Sequence, residues 1–346
     1  MSTRALRCDS VTLGSEMRAA AILGLGCSHK NLKPFQNAIR PAPGESIDWR
    51  IGMPSVADQV DVILLFGGDG TVHRHLGQLV QLGLPVLVVP AGSGNDFARA
   101  LGLRSMADSL AAWRRFCAGR KSVRSIDLGM ITPLPLMENS RVEQVTIPER
   151  AVTAMTSLAG TRKPDAETHY FCCAAGVGLD GEIARRANRM PRWMRAHGGY
   201  ALSLLPALLG FVPFGVKIQI SPSAEFQHQP KGKNWVSHTD QPAVLAVFAN
   251  TPFYGGGMRV APRARMDDAL LDICLVADIS RFKLFCLFPT VYSGRHLSMP
   301  EVKYFQSACL RVETETPLDV YADGEFVCRT PVEVSVQSGA LKVLTA

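Results

Sequence analysis

Between Asp61 and Leu103 two short apolar runs alternate with glycine-rich breaks, and the rest of the chain is organised around them. Val62 to Phe66 is short, branched and uncharged, the pattern of a strand buried on both faces of a parallel sheet. Gly67-Gly68-Asp69-Gly70-Thr71 ends that run. Val72, Leu76, Leu79 and Val80 then recur at the i, i+4, i+7, i+8 spacing of an amphipathic helix. Pro85 to Val89 predicts a second buried strand, Ala91-Gly92-Ser93-Gly94-Asn95-Asp96 a second turn, and a helix follows from about Phe97. Two such units put both turns at strand carboxyl ends on one sheet edge, where open α/β folds bind ligands.

Upstream, Ala21 to Gly26 predicts a first strand, and Asn31 to Met53, rich in Pro and Gly, an irregular stretch around a short helix with no clear second strand. Downstream, Ser105 with Asp108 forms a capping box for a helix to about Ala118, with Leu110, Trp113 and Cys117 on its buried side. A strand follows at Ser122 to Leu128. Ile131 to Thr168 shifts to Pro, Thr, Glu and Arg and marks a domain boundary. His169 to Ala175 resumes a strand. Trp193 to Phe211 predicts one or two helices, apolar on most faces, which suit either core packing or a wall for an acyl chain.

Val216 to Ile220, Ala243 to Ala249, Leu271 to Val276, Leu310 to Glu313 and Leu318 to Ala322 predict β segments joined by turns, as in an antiparallel sandwich. The expected architecture is an α/β domain over 1–130, a linker or insertion over 131–168 and a β-rich domain over 169–334. The last strands, Val332 to Val336 and Leu341 to Leu344, are expected to bring about 335–346 back to the first domain.

Composition adds limits. A hydrophobic fraction of 47% in 346 residues allows ample cores and excludes a disordered chain. The nine cysteines show no C-x-x-C pair or Cys/His ligand spacing, which fits buried thiols. The net charge of +7 points to an anionic partner, a nucleotide or an anionic membrane surface, while no basic-aromatic motif suggests nucleic acid. Met1 to Ala20 mixes charges without an apolar core, so no signal peptide is expected. The uncharged stretch Tyr200 to Gly215 is shorter than the roughly 20 residues that span a bilayer, and Pro206 and Pro213 interrupt it.

The chemistry of the turns follows from their backbone. Glycines let main-chain N–H groups converge on an anion, and a helix N-terminus adds free donors and a positive dipole end. The candidate cradle is Gly67, Gly68, Asp69, Gly70 and Thr71 with Gly92, Ser93, Gly94, Asn95 and Asp96. A carboxylate beside phosphates repels them unless a cation intervenes, so Asp69 implies Mg²⁺. Elsewhere, Asp127 is one acid at a strand end, suited to a turn, and Asp323-Gly324 reads as a hairpin turn. Gly176-Val177-Gly178-Leu179-Asp180-Gly181-Glu182 suggests close backbone packing rather than a dinucleotide site.

G-G-D-G-T followed by P-A-G-S-G-N-D-F-A-R-A-L-G resembles the diacylglycerol kinase catalytic domain superfamily, which includes bacterial lipid kinases and sphingosine and ceramide kinases. The resemblance extends to Ile126-Asp127-Leu128-Gly129, to Phe253-Tyr254-Gly255-Gly256-Gly257 with Asp267-Asp268-Ala269-Leu270-Leu271-Asp272, and to Asp323-Gly324-Glu325. It implies a Rossmann-like nucleotide domain of the NAD kinase type, a β-sandwich lipid domain, ATP and Mg²⁺. Asp69, Asp96 and Asp127 would organise the nucleotide-bound metal. Asp268, with the carbonyls of Arg265 and Leu270, would hold a structural Mg²⁺. Catalysis falls to Asp323 and Glu325, with Glu325 as general base.

Two departures stand out. Gly26-Cys27-Ser28-His29-Lys30-Asn31 replaces the usual Asn-Pro-x-Ser-Gly loop, leaving Ser28 and Lys30 as a candidate hydroxyl and cation. Ala269 replaces a glycine, so its loop is expected to reach the metal geometry without a positive φ. The implied function is ATP-dependent phosphorylation of a lipid hydroxyl such as that of diacylglycerol. The alternatives are a sphingoid-base or ceramide kinase, an NAD kinase, and a lipid- or nucleotide-binding module without catalysis. A cytoplasmic protein, peripheral at the inner membrane surface and dimeric through its β domain, is the corresponding expectation.

Overall fold

The computed structural model describes residues 17–38, 46–119, 122–135, 168–189, 207, 210–221 and 235–346. The expected helices over 193–211 and the insertion beyond 135 lie almost entirely outside them. The first layer is a parallel sheet in the order β2 (Ile47–Ile51), β1 (Met17–Leu23), β3 (Val62–Gly67) and β4 (Val86–Pro90). Val62 through Phe66 are fully buried, as a strand covered on both faces requires. The strand that the pattern leaves unclear is β2, a sheet edge whose Asp48 and Arg50 are exposed and so carry no apolar period.

Helix α1 (His29–Gln36) begins at Ser28, and α2 (Asp69–Leu82) buries Val72, Leu76 and Leu79. It ends on Gly83 in the left-handed region at φ 61°, which a residue without Cβ adopts at no steric cost. The short α3 (Asp96–Ala100) follows β4. Helix α4 (Met106–Cys117) has the expected Ser105/Asp108 capping box and is fixed to β4 by Ser109 Oγ donating to Val88 O at 3.0 Å. Trp113 is fully buried and donates to Phe35 O at 3.1 Å, joining α4 to α1.

The two halves are sewn together by two long strands. β5 (Val123–Pro133) runs antiparallel to β15 (Val332–Leu344), with an irregularity between Gln337 and Leu341. That break explains why the pattern reads as two strands. The end of β15 pairs with β4 in parallel at Val343 and Val86, while its beginning pairs with β12 (Cys309–Thr314). From there the antiparallel order is β8 (Phe214–Ile220), β9 (Val236–Ala249), β7 (Ala174–Gly178), β13 (Asp319–Ala322) and β14 (Glu325–Arg329). Off this path, β6 (His169–Phe171) joins β5, and β10 (Leu271–Ala277) joins β9 and β11 (Val302–Ser307).

Among the described residues, two helices with full boundaries accompany this sheet. α5 (Leu179–Arg189) follows β7, and Gly181 sits so near Tyr321 that a Cβ would stand 3.0 Å from its ring, the close packing expected there. α6 (Arg281–Val291) stands between β10 and β11, where only turns are expected. Its sequence is apolar on opposite sides, so no single stripe betrays a helix.

Candidate active site

The two glycine turns meet backbone to backbone. A Cβ on Gly92 would stand 2.5 Å from Gly68 Cα, and one on Gly68 2.9 Å from Gly92 Cα, so neither position accepts a side chain. Asn95, in the left-handed region at φ 51°, ties the second turn by accepting from Gly92 N at 2.8 Å and donating to Gly92 O at 2.6 Å. Gly24, at the end of β1, donates to Phe66 O at 2.7 Å and packs where a Cβ would stand 2.7 Å from Thr71 Oγ1. Sequence reasoning gives Gly24 no role; a lone glycine after a strand is too common a signal. Ser93 is exposed at the tip of the second turn. Ser28 is the N-cap of α1, accepting from Lys30 N while its own N–H donates to Asn31, so the altered first loop is a helix start.

Asp69 links the turns. Its two oxygens accept from Asp96 N at 2.9 Å and Phe97 N at 3.1 Å, the free donors at the start of α3. Burial, and then the negative charge of Asp96, push its carboxyl up to about 6 despite those bonds. Asp96 is buried and also shifted upward by burial, although it pairs with Arg99 and accepts from Gly256 N at 2.7 Å. Through Gly256 the turns are tied to the loop 250–258, with Arg99 lying over the Phe253 ring at 5.6 Å. Each carboxylate oxygen carries a second lone pair, so these acids retain acceptor capacity toward a cation, and their mutual repulsion favours one.

Asp127 stands elsewhere. Its oxygens accept from Gly339 N at 2.8 Å and Ala269 N at 2.7 Å, and its own N–H donates to Met266 O at 2.7 Å. The structure therefore places the Asp127 carboxylate against the 266–272 loop and β15, because the donors to its two oxygens belong to those segments. Asp268 accepts from Leu270 N at 3.1 Å through Oδ1, and burial, followed by the charges of Asp272 and Asp127, raises its pKa. An acid raised by neighbouring acids suits a cation, so the Asp268 loop fits the implied structural metal. Arg265 lies at its exposed rim beside Asp267. The expectation for Ala269 is corrected: its φ is +58°, so this residue adopts the left-handed conformation despite its Cβ.

Asp323 and Glu325 flank one turn and have different environments. Asp323 at φ 50° and Gly324 at φ 86° form a two-residue hairpin loop between β13 and β14, both with the positive φ of a type I′ turn. The Asp323 side chain is 0% exposed and accepts from Cys172 N at 2.9 Å, Cys173 N at 2.8 Å and Ala174 N at 3.3 Å. Its Oδ2 also lies 3.1 Å from His73 Nδ1, which must carry the proton because the carboxylate only accepts. Burial opposes its ionisation, but His73 and the backbone donors outweigh burial and hold its pKa low. The Asp323 oxygens are thus taken up by the Cys172–Ala174 backbone and by α2.

His73 was not legible as a site residue. Its signal is the i, i+4 spacing from Asp69, which puts both on one helical face one turn apart. Burial disfavours its charge, yet the hydrogen bond and charge of Asp323, with Glu325 adding to them, raise its pKa. Glu325 is exposed, and its Oε1 lies 3.3 Å from where a Cβ on Gly70 would stand. The β13–β14 hairpin thereby sets a carboxylate over the start of α2. The other D-G-E differs: Glu182 pairs with Arg185 and Arg186 on α5.

An apolar cleft lies in the β-rich half, lined by side chains that include Leu179, Ile183, Val247, Met258 and Leu287. Tyr254 and Met258 in its wall belong to the same loop that gives Gly256 N to Asp96. The acids and the apolar cleft are therefore joined by one segment.

Comparisons with known proteins bear on the family and the fold. Residues 50–131 match the diacylglycerol kinase catalytic domain, and residues 173–345 match the YegS C-terminal NAD kinase beta sandwich-like domain. A diacylglycerol kinase of Mycobacterium tuberculosis (strain ATCC 25618 / H37Rv) is 30% identical over 296 residues, covering 84% of this chain and 78% of that protein. Human sphingosine kinase 2 is 32% identical over 120 residues, 34% of this chain and 18% of that protein. A crystal structure of a diacylglycerol kinase from Bacillus anthracis str. Sterne has a TM-score of 0.58 at 17% identity, covering 96% of this chain and 97% of that one.

Proposed function

This chain belongs to the diacylglycerol kinase family of lipid kinases, and from that premise we propose that it transfers the γ-phosphoryl group of ATP to the hydroxyl of diacylglycerol. The observation that carries the reading is the position of Glu325 over Gly70, at the mouth of a glycine cradle that one loop connects to an apolar cleft. Phosphoryl transfer asks the protein chiefly for alignment and charge neutralisation. The N–H groups around Gly68 to Gly70 and of Ser93 and Gly94 bind the phosphate oxygens, aided by the N-terminal dipole of the 14-residue helix α2. Mg²⁺, which Asp69 and Asp96 would hold, neutralises phosphate charge when bound.

Glu325 then accepts the proton of the lipid hydroxyl as its oxygen bonds to the γ-phosphorus and the bond to the bridging oxygen of ADP breaks. The loop 250–258 orients the acceptor, and the apolar cleft covers part of its hydrocarbon. Asp323 fixes the hairpin that aims Glu325. Asp127 holds the Asp268 loop against β15, and Asp268, with the carbonyls of Arg265 and Leu270, would bind the structural cation. The similarity to a diacylglycerol kinase spans most of the chain, whereas that to a sphingosine kinase spans about a third of it, and this favours diacylglycerol.

The test is transfer of label from γ-labelled ATP with Mg²⁺ to diacylglycerol, sphingosine, ceramide and NAD offered separately. Label in diacylglycerol above the others supports the reading. Label in sphingosine, ceramide or NAD instead reassigns the acceptor, and none in any acceptor contradicts it.

A further inference from the structure

Helix α6 is apolar on two opposite faces. Leu284, Leu287 and Val291, at i, i+3 and i+7, are buried and line the apolar cleft. Phe282, Phe285, Pro289 and Tyr292, at i, i+3, i+7 and i+10, form an exposed stripe on the other side. Phe282 is 77% exposed, Phe285 55% and Tyr292 49%. Scattered apolar residues on a surface are ordinary, but four in register along one helix form a patch that water does not favour.

Charge surrounds this stripe. Arg281 and Lys283 neighbour Phe282 in sequence, so they project about 100° to either side of it around the helix axis. Arg295 follows the helix, and Arg259 is fixed to its end by donating its N–H to Val291 O at 3.1 Å. All four cations are exposed. The acids in this neighbourhood are Asp278, before the helix, and Glu301, which pairs with Lys283 at 2.7 Å. Aromatic side chains between cations, on a helix of 11 residues, suit a segment that lies in a headgroup layer. No helix among the described residues is long and apolar enough to cross a membrane.

We propose that the outer face of α6 docks the protein on an anionic bilayer, with Phe282, Phe285 and Tyr292 inserted among the headgroups and Arg281, Lys283, Arg295 and Arg259 against their phosphates. The opposite face of the same helix walls the apolar cleft, so docking brings that cleft to the layer that holds a diacyl lipid. This surface extends the lipid-kinase reading by naming how the enzyme meets its substrate. Vesicle binding itself needs no turnover, so the two can fail independently.

The experiment is flotation of the purified full chain with vesicles of phosphatidylcholine alone and of phosphatidylcholine mixed equally with phosphatidylglycerol. Wild type and F282S/F285S are compared, with phosphorylation of a short-chain diacylglycerol in detergent and thermal unfolding as controls. Wild type is expected to float with the mixed vesicles, less so at high salt. The variant is expected to bind at least about tenfold more weakly while its unfolding temperature and detergent activity stay unchanged. R281Q/R295Q should lose the preference for the mixed vesicles. Equal flotation of wild type and F282S/F285S, or flotation of neither, overturns the proposal. So does a wild-type dimer that F282S/F285S converts to monomer, which would assign this face to a second copy. Loss of label transfer with flotation intact would instead contradict the kinase reading.

Discussion

Glu325 Oε1 lies 3.3 Å from the point where a Cβ on Gly70 would stand, although the two residues come from opposite halves of the fold. Gly70 is in the first turn of α2, where alanine would ordinarily favour the helix by up to about 1 kcal/mol. G70A should therefore keep or raise the unfolding temperature. The added methyl crowds the carboxylate, and kcat should fall roughly tenfold, the scale of a base displaced from its proton. ATP affinity should change little. An unaltered kcat, measured beside thermal unfolding, would show that Glu325 is not held over this turn.

His73 and Asp323 make a buried pair whose pH dependence has a definite sign. The raised pKa of His73 means that its stabilisation is complete below the ordinary histidine value and is lost as pH rises through the raised one. The lowered pKa of Asp323 means that its stabilisation is present above the ordinary aspartate value and is lost as pH falls through the lowered one. Denaturant unfolding of wild type should accordingly show stability falling as pH rises above the ordinary histidine value and through the raised one. D323N leaves His73 without its anion, and should cost about 3–5 kcal/mol while flattening that slope. A D323N slope equal to that of wild type would exclude the pair as its origin.

Ala269 holds a left-handed conformation that costs an L-residue about 1–2 kcal/mol. Glycine relieves this but adds freedom to the unfolded chain worth about 0.4–1 kcal/mol. A269G should stabilise the protein by roughly 0.5–1 kcal/mol net, leaving turnover unchanged because only its backbone N–H serves Asp127. Calorimetric unfolding of the two proteins decides this; destabilisation by A269G would mean that the Cβ has contacts outweighing the strain.

The parts legible in the sequence are those that act through backbone. Gly68 and Gly92 are required by local chain geometry, so their meaning shows in a few consecutive letters. The partners of acids are another matter. Asp69 and Asp96 meet across one strand-turn unit, but Asp127 finds Gly339 and Ala269, and Asp323 finds His73 and Cys172, each more than a hundred positions away. No local pattern carries such distances, so neither the seat of Asp127 beside the 266–272 loop nor the pairing of His73 with Asp323 is legible in the letters. Helix α6 escapes local patterns for a different reason. With both faces apolar it has no single stripe, and its outer face leaves Phe282, Phe285 and Tyr292 exposed.

Whether Glu325 takes the proton from a lipid hydroxyl is decided by comparing wild type with E325Q. The measurement is the initial rate of label transfer from γ-labelled ATP to diacylglycerol, with ATP affinity determined separately by equilibrium binding. E325Q should transfer label at a rate lower by about 10²–10⁴, with ATP binding within a few-fold of wild type. A rate within tenfold of wild type, or a loss of ATP binding that accounts for the whole defect, would contradict it.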